Sequence, residues 1–333
     1  FTVKFYTKMN TKNIAVICGG DSSEYEVSLK SAKNIYHSIN TELFTPWMVR
    51  MRFGEWVVVK NDTIIAQVDK SDFSFTIENK KIKPGFAFIM IHGTPGEDGK
   101  LQGYFDLLNI PHSASGVYAS ALTFHKFHCD NFLRAFDIKM AKSLYFQKGD
   151  KIDSSKIHDE ISLPMFIKPS AGGSSFGVTK VKSKEEIQPA IEAAYKESKD
   201  CLCEEFIDGL ELAVGVCELD GEVLPFLPTE VIPKGEFFDF NSKYDIGGAT
   251  EITPARIPED KLEQCRQLTA HLYKLTGCKG IARIDFILKN NVFYFLEINT
   301  VPGMTATSFI PQQLDAMNMK LSDVVTSIIN SAV

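Results

Sequence analysis

The chain has 333 residues, 44% of them hydrophobic, which is enough for two or three domains with substantial cores and too long for one small domain. A formal net charge of -6, a pI near 5.7 and the absence of any block of like charges argue against a nucleic-acid partner or a polybasic membrane anchor. The seven cysteines are scattered without a CxxC pair or metal-finger spacing and read as reduced, buried thiols.

The opening residues carry no apolar run of signal-peptide length, and no segment approaches the roughly 18 uncharged apolar residues of a membrane span. A cytoplasmic protein with small-molecule partners and no membrane contact is therefore expected. Strand-like patterning starts at Asn13, which makes Met9 a candidate natural start.

"NIAVICGG" (13–20) reads as a buried strand ending in paired glycines, and the helix-period stretch at 26–39 follows it as the first β-α unit of an α/β domain. "GEWVVVKNDTIIAQVD" reads as a β-hairpin turned at Asn-Asp. A second apolar strand, 85–93, runs into the loop "HGTPGEDGKLQG". Both glycine loops sit at carboxyl ends of strands, where open α/β sheets bind ligands.

A second unit holds the strand "LPMFIKP" (163–169), the loop "SAGGSSFG" (170–177), the strand "VTKVK", a helix, and the strand "CLCEEFI" (201–207). The third holds strands "LAVGVCEL" and "EVLPFLPTEV", an aperiodic segment from Pro233 to Pro254, a helix over 259–276, strands "GIARIDFIL" and "VFYFLEINT", and a C-terminal helix. The aperiodic segment is rich in aromatics, which favours a lid over a disordered linker.

Strand alternation places Arg283 with Asp285 on one face, and Glu297 with Asn299 on another. If the two strands pair across "KNN", Asp285, Glu297 and Asn299 converge as three hard oxygen donors, a set suited to Mg²⁺ rather than Zn²⁺. Magnesium is commonly completed by substrate phosphates, so a nucleotide is implied. A solvated polar strand face is the plainer reading of any one of these carboxylates. Lys168, at the mouth of the Gly/Ser loop, offers a point charge and backbone donors to phosphates, although the P-loop pattern is absent. "LCEEFIDGLE" offers backbone and the carboxylates Glu204, Glu205 and Glu211 for adenine and ribose. His92, where a strand meets a glycine loop, is a plausible ligand position. The spacing of "CGGDSSE" fails the dinucleotide fingerprint, so a dehydrogenase is a poor reading.

Taken together, "GGDSSEYEVSLKS", "HGTPGEDGKLQG", "SGVYASALTFHK", "FIKPSAGGSSFGV", "CKGIARIDF" and "LEINTVPGMTATS" resemble the ATP-grasp superfamily and, within it, the D-alanine–D-alanine ligases, over about residues 13–330. The resemblance implies an α/β fold, α+β in the ATP-grasp part: an N-terminal open α/β domain (1–125) binding the first D-alanine, a central ATP-grasp subdomain (126–211), and a C-terminal subdomain (212–333) with the metal site and a lid (233–254). It implies ATP as substrate, two Mg²⁺ ions with Mn²⁺ as an alternative, a cytoplasmic homodimer, and ligation of two D-alanines through a D-alanyl phosphate for peptidoglycan precursors. D-alanine–D-lactate or D-serine ligation, and a non-catalytic ATP-binding module, are the competing readings.

By motif position the resemblance gives Asp285, Glu297 and Asn299 to the metals and Arg283 to the transferring phosphoryl group. Lys126, Lys168, Glu204, Glu205, Ile207 and Glu211 fall to ATP, as do Phe237 and Lys243 of the lid. Glu24 would anchor the first D-alanine ammonium near His92, with Ser174 and Tyr244 linking the Gly/Ser loop and lid to Glu24. Ser308 and the backbone at Gly303 would meet the second D-alanine. Tyr244 is similar to the dipeptide-forming members. Four positions depart from the pattern: His125 stands where an aspartate is common, Ala171 and Gly172 replace a frequently charged pair, and Phe309 replaces a frequent leucine.

Overall fold

The structure, a computed structural model, describes residues 12–173, 176–233 and 249–331. Its first sheet is built on β1 (Lys12–Gly19), where Ile14 through Cys18 are all buried, the pattern of a strand covered on both faces. β1 pairs in parallel with β2 (Phe44–Arg52) and β7 (Phe86–Ile89). From β2 an antiparallel meander continues through β3 (Glu55–Lys60), β4 (Thr63–Asp69), β5 (Ser74–Ile77) and β6 (Lys80–Ile82), in the order β6-β5-β4-β3-β2-β1-β7. The β3–β4 turn has φ of 51° at Asn61 and 61° at Asp62, the two positive angles of a type I′ hairpin turn. Helix α1 (Tyr25–Ser38) follows β1 and buries Ser28, Ser31, Ala32 and Ile35. Three short helices, α2 (Lys100–Leu107), α3 (Val117–Phe124) and α4 (Lys126–Arg134), lead on to the second sheet.

That sheet is antiparallel, in the order β10-β9-β11-β8, with β8 at Ser143–Gln147, β9 at Met165–Pro169, β10 at Thr179–Val181 and β11 at Asp200–Glu205. Helices α5 (Ser154–Glu160) and α6 (Ile187–Glu197) cover it. The spacing of Ile187, Ala190, Ile191 and Ala194 puts one stripe of α6 against the sheet, and these residues share a core with Met165, Ile167, Cys201 and Cys203.

The third sheet comprises β12 (Leu210–Leu219), β13 (Glu222–Pro225), β14 (Thr229–Pro233), β15 (Ala249–Ile252), β16 (Ala282–Lys289) and β17 (Val292–Asn299). Its order is β15-β14-β12-β16-β17, with β13 also on β12. The stretch expected as one strand, "EVLPFLPTEV", is two. Pro225 and Pro228 bring no N–H to a ladder, and the chain between them shifts from Val216–Leu219 of β12 to Glu211–Ala213. Helices α7 (Glu259–Leu275), α8 (Phe309–Ala316) and α9 (Leu321–Ser331) complete the chain.

One hydrophobic core runs from β1, α1 and β7 into Phe226, Ile310, Leu314, Val324 and Ile328, so the first and third sheets share an interior. All seven cysteines are free and buried, and burial pushes the Cys18 thiol up to about 12. Among the described residues no helix is long and apolar enough to cross a membrane.

Candidate active site

β16 and β17 do pair across Asn290–Asn291, whose φ angles of 50° and 64° again make a type I′ turn. The register sets Arg283 opposite Asn299 and Asp285 opposite Glu297, so four polar side chains stand on one face, and a bulge between Asp285 and Phe286 lies beside them. Arg283 donates to both oxygens of Asp285, from Nε at 2.8 Å and Nη2 at 2.7 Å. Lys126 Nζ lies 3.3 Å from Glu297 Oε2. Asn299 Nδ2 is 3.3 Å from Asp285 and 3.4 Å from Glu297.

The donor set fits a hard divalent cation: two carboxylates and an amide oxygen, with no sulfur or imidazole among them. Turning the Asn299 amide about its last torsion would exchange its nitrogen for its oxygen and aim the third donor with the other two. Among the described residues no group of three or more His, Cys, Asp or Glu is placed to hold a metal, so a cation here would need the amide and further oxygens to fill its coordination.

All of these side chains but Asn299 line one cavity of about 410 Å³, within the range of small-molecule sites. Lys126, Lys168, Glu204, Glu205, Ile207 and Glu211 also line it, together with Arg283, Asp285 and Glu297. Its apolar lining includes Phe166, Phe206, Tyr294 and Leu296. Those four were not singled out in the sequence, because apolar residues on or beside strands look like any core residue. Lys168 and Glu204 face each other across paired β9 and β11, 2.6 Å apart and both buried. Burial opposes the Lys168 charge, but Glu204 and Asp130 outweigh it and hold the ammonium above the ordinary lysine range. Glu204 thus turns its carboxylate onto the lysine.

Glu24, the residue before α1, is buried beside the Gly/Ser loop: a Cβ on Gly173 would run into Glu24 Oε2. His92 is fixed by two bonds. Its Nδ1 lies 2.7 Å from the Val301 carbonyl and so carries the proton, while Nε2 takes a hydrogen bond from Ser31 Oγ at 3.1 Å. Burial holds His92 below the ordinary histidine range, despite the pull of Glu24. Gly303 and Ser308 stand together, with Ser308 Oγ accepting from Thr305 N at 3.0 Å at the start of α8. The Arg283 guanidinium lies 5.4 Å from the Phe309 ring centroid. Ser174, Phe237, Lys243 and Tyr244 lie outside the described residues, as does Met9.

The sequence reading missed a clasp that ties the 93–97 loop and α1 to the segment 301–304 after β17. Glu97 accepts from Gly93 N at 2.7 Å and from Val301 N at 3.2 Å, while Asn34 donates to the Met304 carbonyl at 2.8 Å. Burial and the charge of Glu24 push Glu97 up to about 8, against the pull of its two backbone donors. Its carboxylate in "HGTPGEDG" is the one local signal that could have pointed to it.

Two family models match the chain, "D-ala D-ala ligase N-terminus" over residues 13–115 and "D-ala D-ala ligase C-terminus" over 132–330. The D-alanine–D-alanine ligase of Phocaeicola vulgatus is 49% identical over 321 residues, covering 96% of this chain and 99% of that protein. Its counterpart in Bacteroides thetaiotaomicron is 47% identical with the same coverage. Among solved structures, the VanG D-Ala:D-Ser ligase of Enterococcus faecalis is 31% identical with a TM-score of 0.86, covering 97% of this chain and all of that one. The D-alanyl-alanine synthetase A of Vibrio cholerae is 29% identical with a TM-score of 0.87, covering 97% and 99%. The chain belongs to the D-alanine–D-alanine ligase family, with the ATP-grasp fold.

Proposed function

We propose the following roles for the site in the reaction of this family, the ATP-dependent joining of two D-alanines for peptidoglycan precursors. Adenine occupies the apolar part of the cavity against the backbone of Glu205 and Ile207, with ribose at Glu211 and the phosphates running toward Lys126 and Lys168. Glu24 receives the ammonium of the first D-alanine near His92, which brings that substrate's carboxylate to the γ-phosphate. The carboxylate oxygen attacks phosphorus as the bond to ADP breaks, giving D-alanyl phosphate. Arg283 neutralises charge that develops on the transferring group. Ser308 and the backbone at Gly303 hold the carboxylate of the second D-alanine while its amine attacks the acyl carbon and phosphate leaves. Asp285, Glu297 and Asn299 are the residues that would hold two Mg²⁺ ions, or Mn²⁺, which when bound neutralise the phosphate oxygens.

The observation that carries this reading is the single cavity joining an apolar lining, two lysines and the Arg283–Asp285–Glu297 cluster. A homodimer acting in the cytoplasm, and units bounded near residues 125 and 211, complete the reading. The test is phosphate release from ATP with D-alanine alone, with D-alanine plus D-lactate or D-serine, and with L-alanine, the products identified by mass. D-alanyl-D-alanine from D-alanine alone is expected. A mixed product formed in preference to the dipeptide would overturn the substrate assignment.

A further inference from the structure

His125 stands at the N-cap of α4, immediately before Lys126, with extended backbone (φ -98°, ψ 97°) and no side-chain bond to the helix it precedes. An aspartate there would cap the helix itself. Here the capping comes from another segment. Ser170, fully buried at the end of β9, accepts Lys126 N on its carbonyl at 2.7 Å and faces Phe127 N with its Oγ at 3.4 Å. The imidazole closes the arrangement: Nδ1 lies 3.1 Å from Ser170 Oγ and Nε2 lies 3.1 Å from Asp200 Oδ2. Asp200 in turn holds Ser170 N with its own carbonyl at 3.1 Å, and its carboxylate also accepts from Tyr145 and Ser198.

The donors and acceptors admit one consistent assignment. Asp200 only accepts, so Nε2 carries the proton; Nδ1 is then an acceptor and takes the Ser170 hydroxyl hydrogen. The hydroxyl oxygen is left to receive Phe127 N–H. A second proton on the ring would aim Nδ1–H at the same oxygen and strand the hydroxyl hydrogen in a buried site. We propose that neutral His125 is a positioning residue for ATP, locking Ser170 between the start of α4 and β11 and thereby fixing Lys126 relative to Lys168 and the Gly/Ser loop.

This rests on Lys126 and Lys168 being the ATP-phosphate lysines. Lys126 Nζ lies 3.2 Å from the Gly172 carbonyl, and His125 and Ala171 are bridged backbone to backbone, so the lock reaches into the loop. The titratable groups facing His125 are Lys126 and His128 of α4, Tyr145 of β8 and Asp200 of β11, with the His128 ring 4.0 Å away centroid to centroid. Burial first, and His128 after it, hold His125 below the ordinary histidine range against the pull of Asp200.

The experiment measures KM for ATP, KM for D-alanine and kcat across about pH 5 to 8 for the wild type, His125→Ala, His125→Asn and Lys126→Ala. His125→Ala is expected to raise KM for ATP about tenfold at neutral pH, leaving kcat and KM for D-alanine within about twofold. His125→Asn keeps an acceptor toward Ser170 and does not titrate. It is expected to stay within about threefold of the wild type at about pH 8 and to lack the wild-type rise in KM for ATP toward acid. The comparison cancels the protonation of ATP itself. Lys126→Ala separates the two readings. If it leaves KM for ATP unchanged, the ATP assignment falls and this inference with it. If it raises KM for ATP while the His125 variants match the wild type in KM and pH profile, this inference alone is overturned, even where the Ala variant melts at a lower temperature. Should His125→Ala fail to fold, the pH profile of His125→Asn decides.

Discussion

Gln313 of α8 is fully buried and fills a gap in a β ladder. β12 pairs with β14 up to Ala213 and with β13 from Val216, and between them Gln313 supplies what a strand would. Its Oε1 accepts Gly215 N at 2.8 Å, and its Nε2 donates to the Ala213 carbonyl and to Thr229 Oγ1, each at 2.9 Å. Gln313→Met keeps the volume closely enough that little cavity energy is lost. It removes the partners of two buried backbone groups, at about 1–3 kcal/mol each, while Thr229 keeps its bond to Thr253. The expected loss is therefore about 2–6 kcal/mol in equilibrium urea unfolding. Because Ser308 stands at the start of the same helix, KM for D-alanine should rise several-fold while KM for ATP holds. A loss below about 1 kcal/mol would refute the claim that Gln313 stands in for the missing strand.

Lys168→Met should abolish ATP binding and also destabilise the fold by about 3–5 kcal/mol, because Glu204 is left buried without its cation. Adding Glu204→Leu should restore most of the stability but none of the binding, as read by urea unfolding and nucleotide titration; recovery of ATP affinity in the double variant would sink the phosphate role. Gly173→Ala should raise KM for D-alanine at least about tenfold, since its Cβ meets Glu24; unchanged steady-state kinetics would show that the loop does not press on that carboxylate. Glu97 titrates in the unfolded chain near its ordinary 4.5 and in the fold near about 8, so the folded state holds the proton more tightly. Its contribution is complete below about pH 4.5 and is lost as pH rises to about 8. The stability difference between wild type and Glu97→Gln should therefore change across that window, and a difference flat with pH would contradict the shift.

The parts of the site that the sequence made legible are those specified by neighbouring residues. "KNN" between two alternating runs dictates a type I′ hairpin, and strand alternation then brings Arg283, Asp285, Glu297 and Asn299 to one face without any distant information. Ser170 through Gly177 announces itself by composition. The β5–β6 hairpin was missed because Glu78, with φ of 49°, sits where Asn or Gly would normally signal the turn. Gln313 and Glu97 were missed for a different reason. Each has a partner far along the chain, Gly215 at 98 residues and Val301 at 204, and a buried polar residue follows no period of its own. Ser170 likewise meets its α4 partner Phe127 across 43 residues of chain.

The interior shared by the first and third sheets has a mechanical consequence. With β1, α1 and α9 packed into one apolar mass, Glu24, His92 and the Arg283–Asp285 wall belong to a single stiff anvil. The four-stranded sheet keeps an interior of its own, so it can rock over that anvil without tearing apolar contacts inside either body. α4 is rooted by Cys129 and Leu133 in the interior of the third sheet, while its first turn is hung from Ser170 of the four-stranded one. That turn is thus an axle: a displacement of the Gly/Ser loop would be delivered at Lys126, which lies between the Gly172 carbonyl and Glu297.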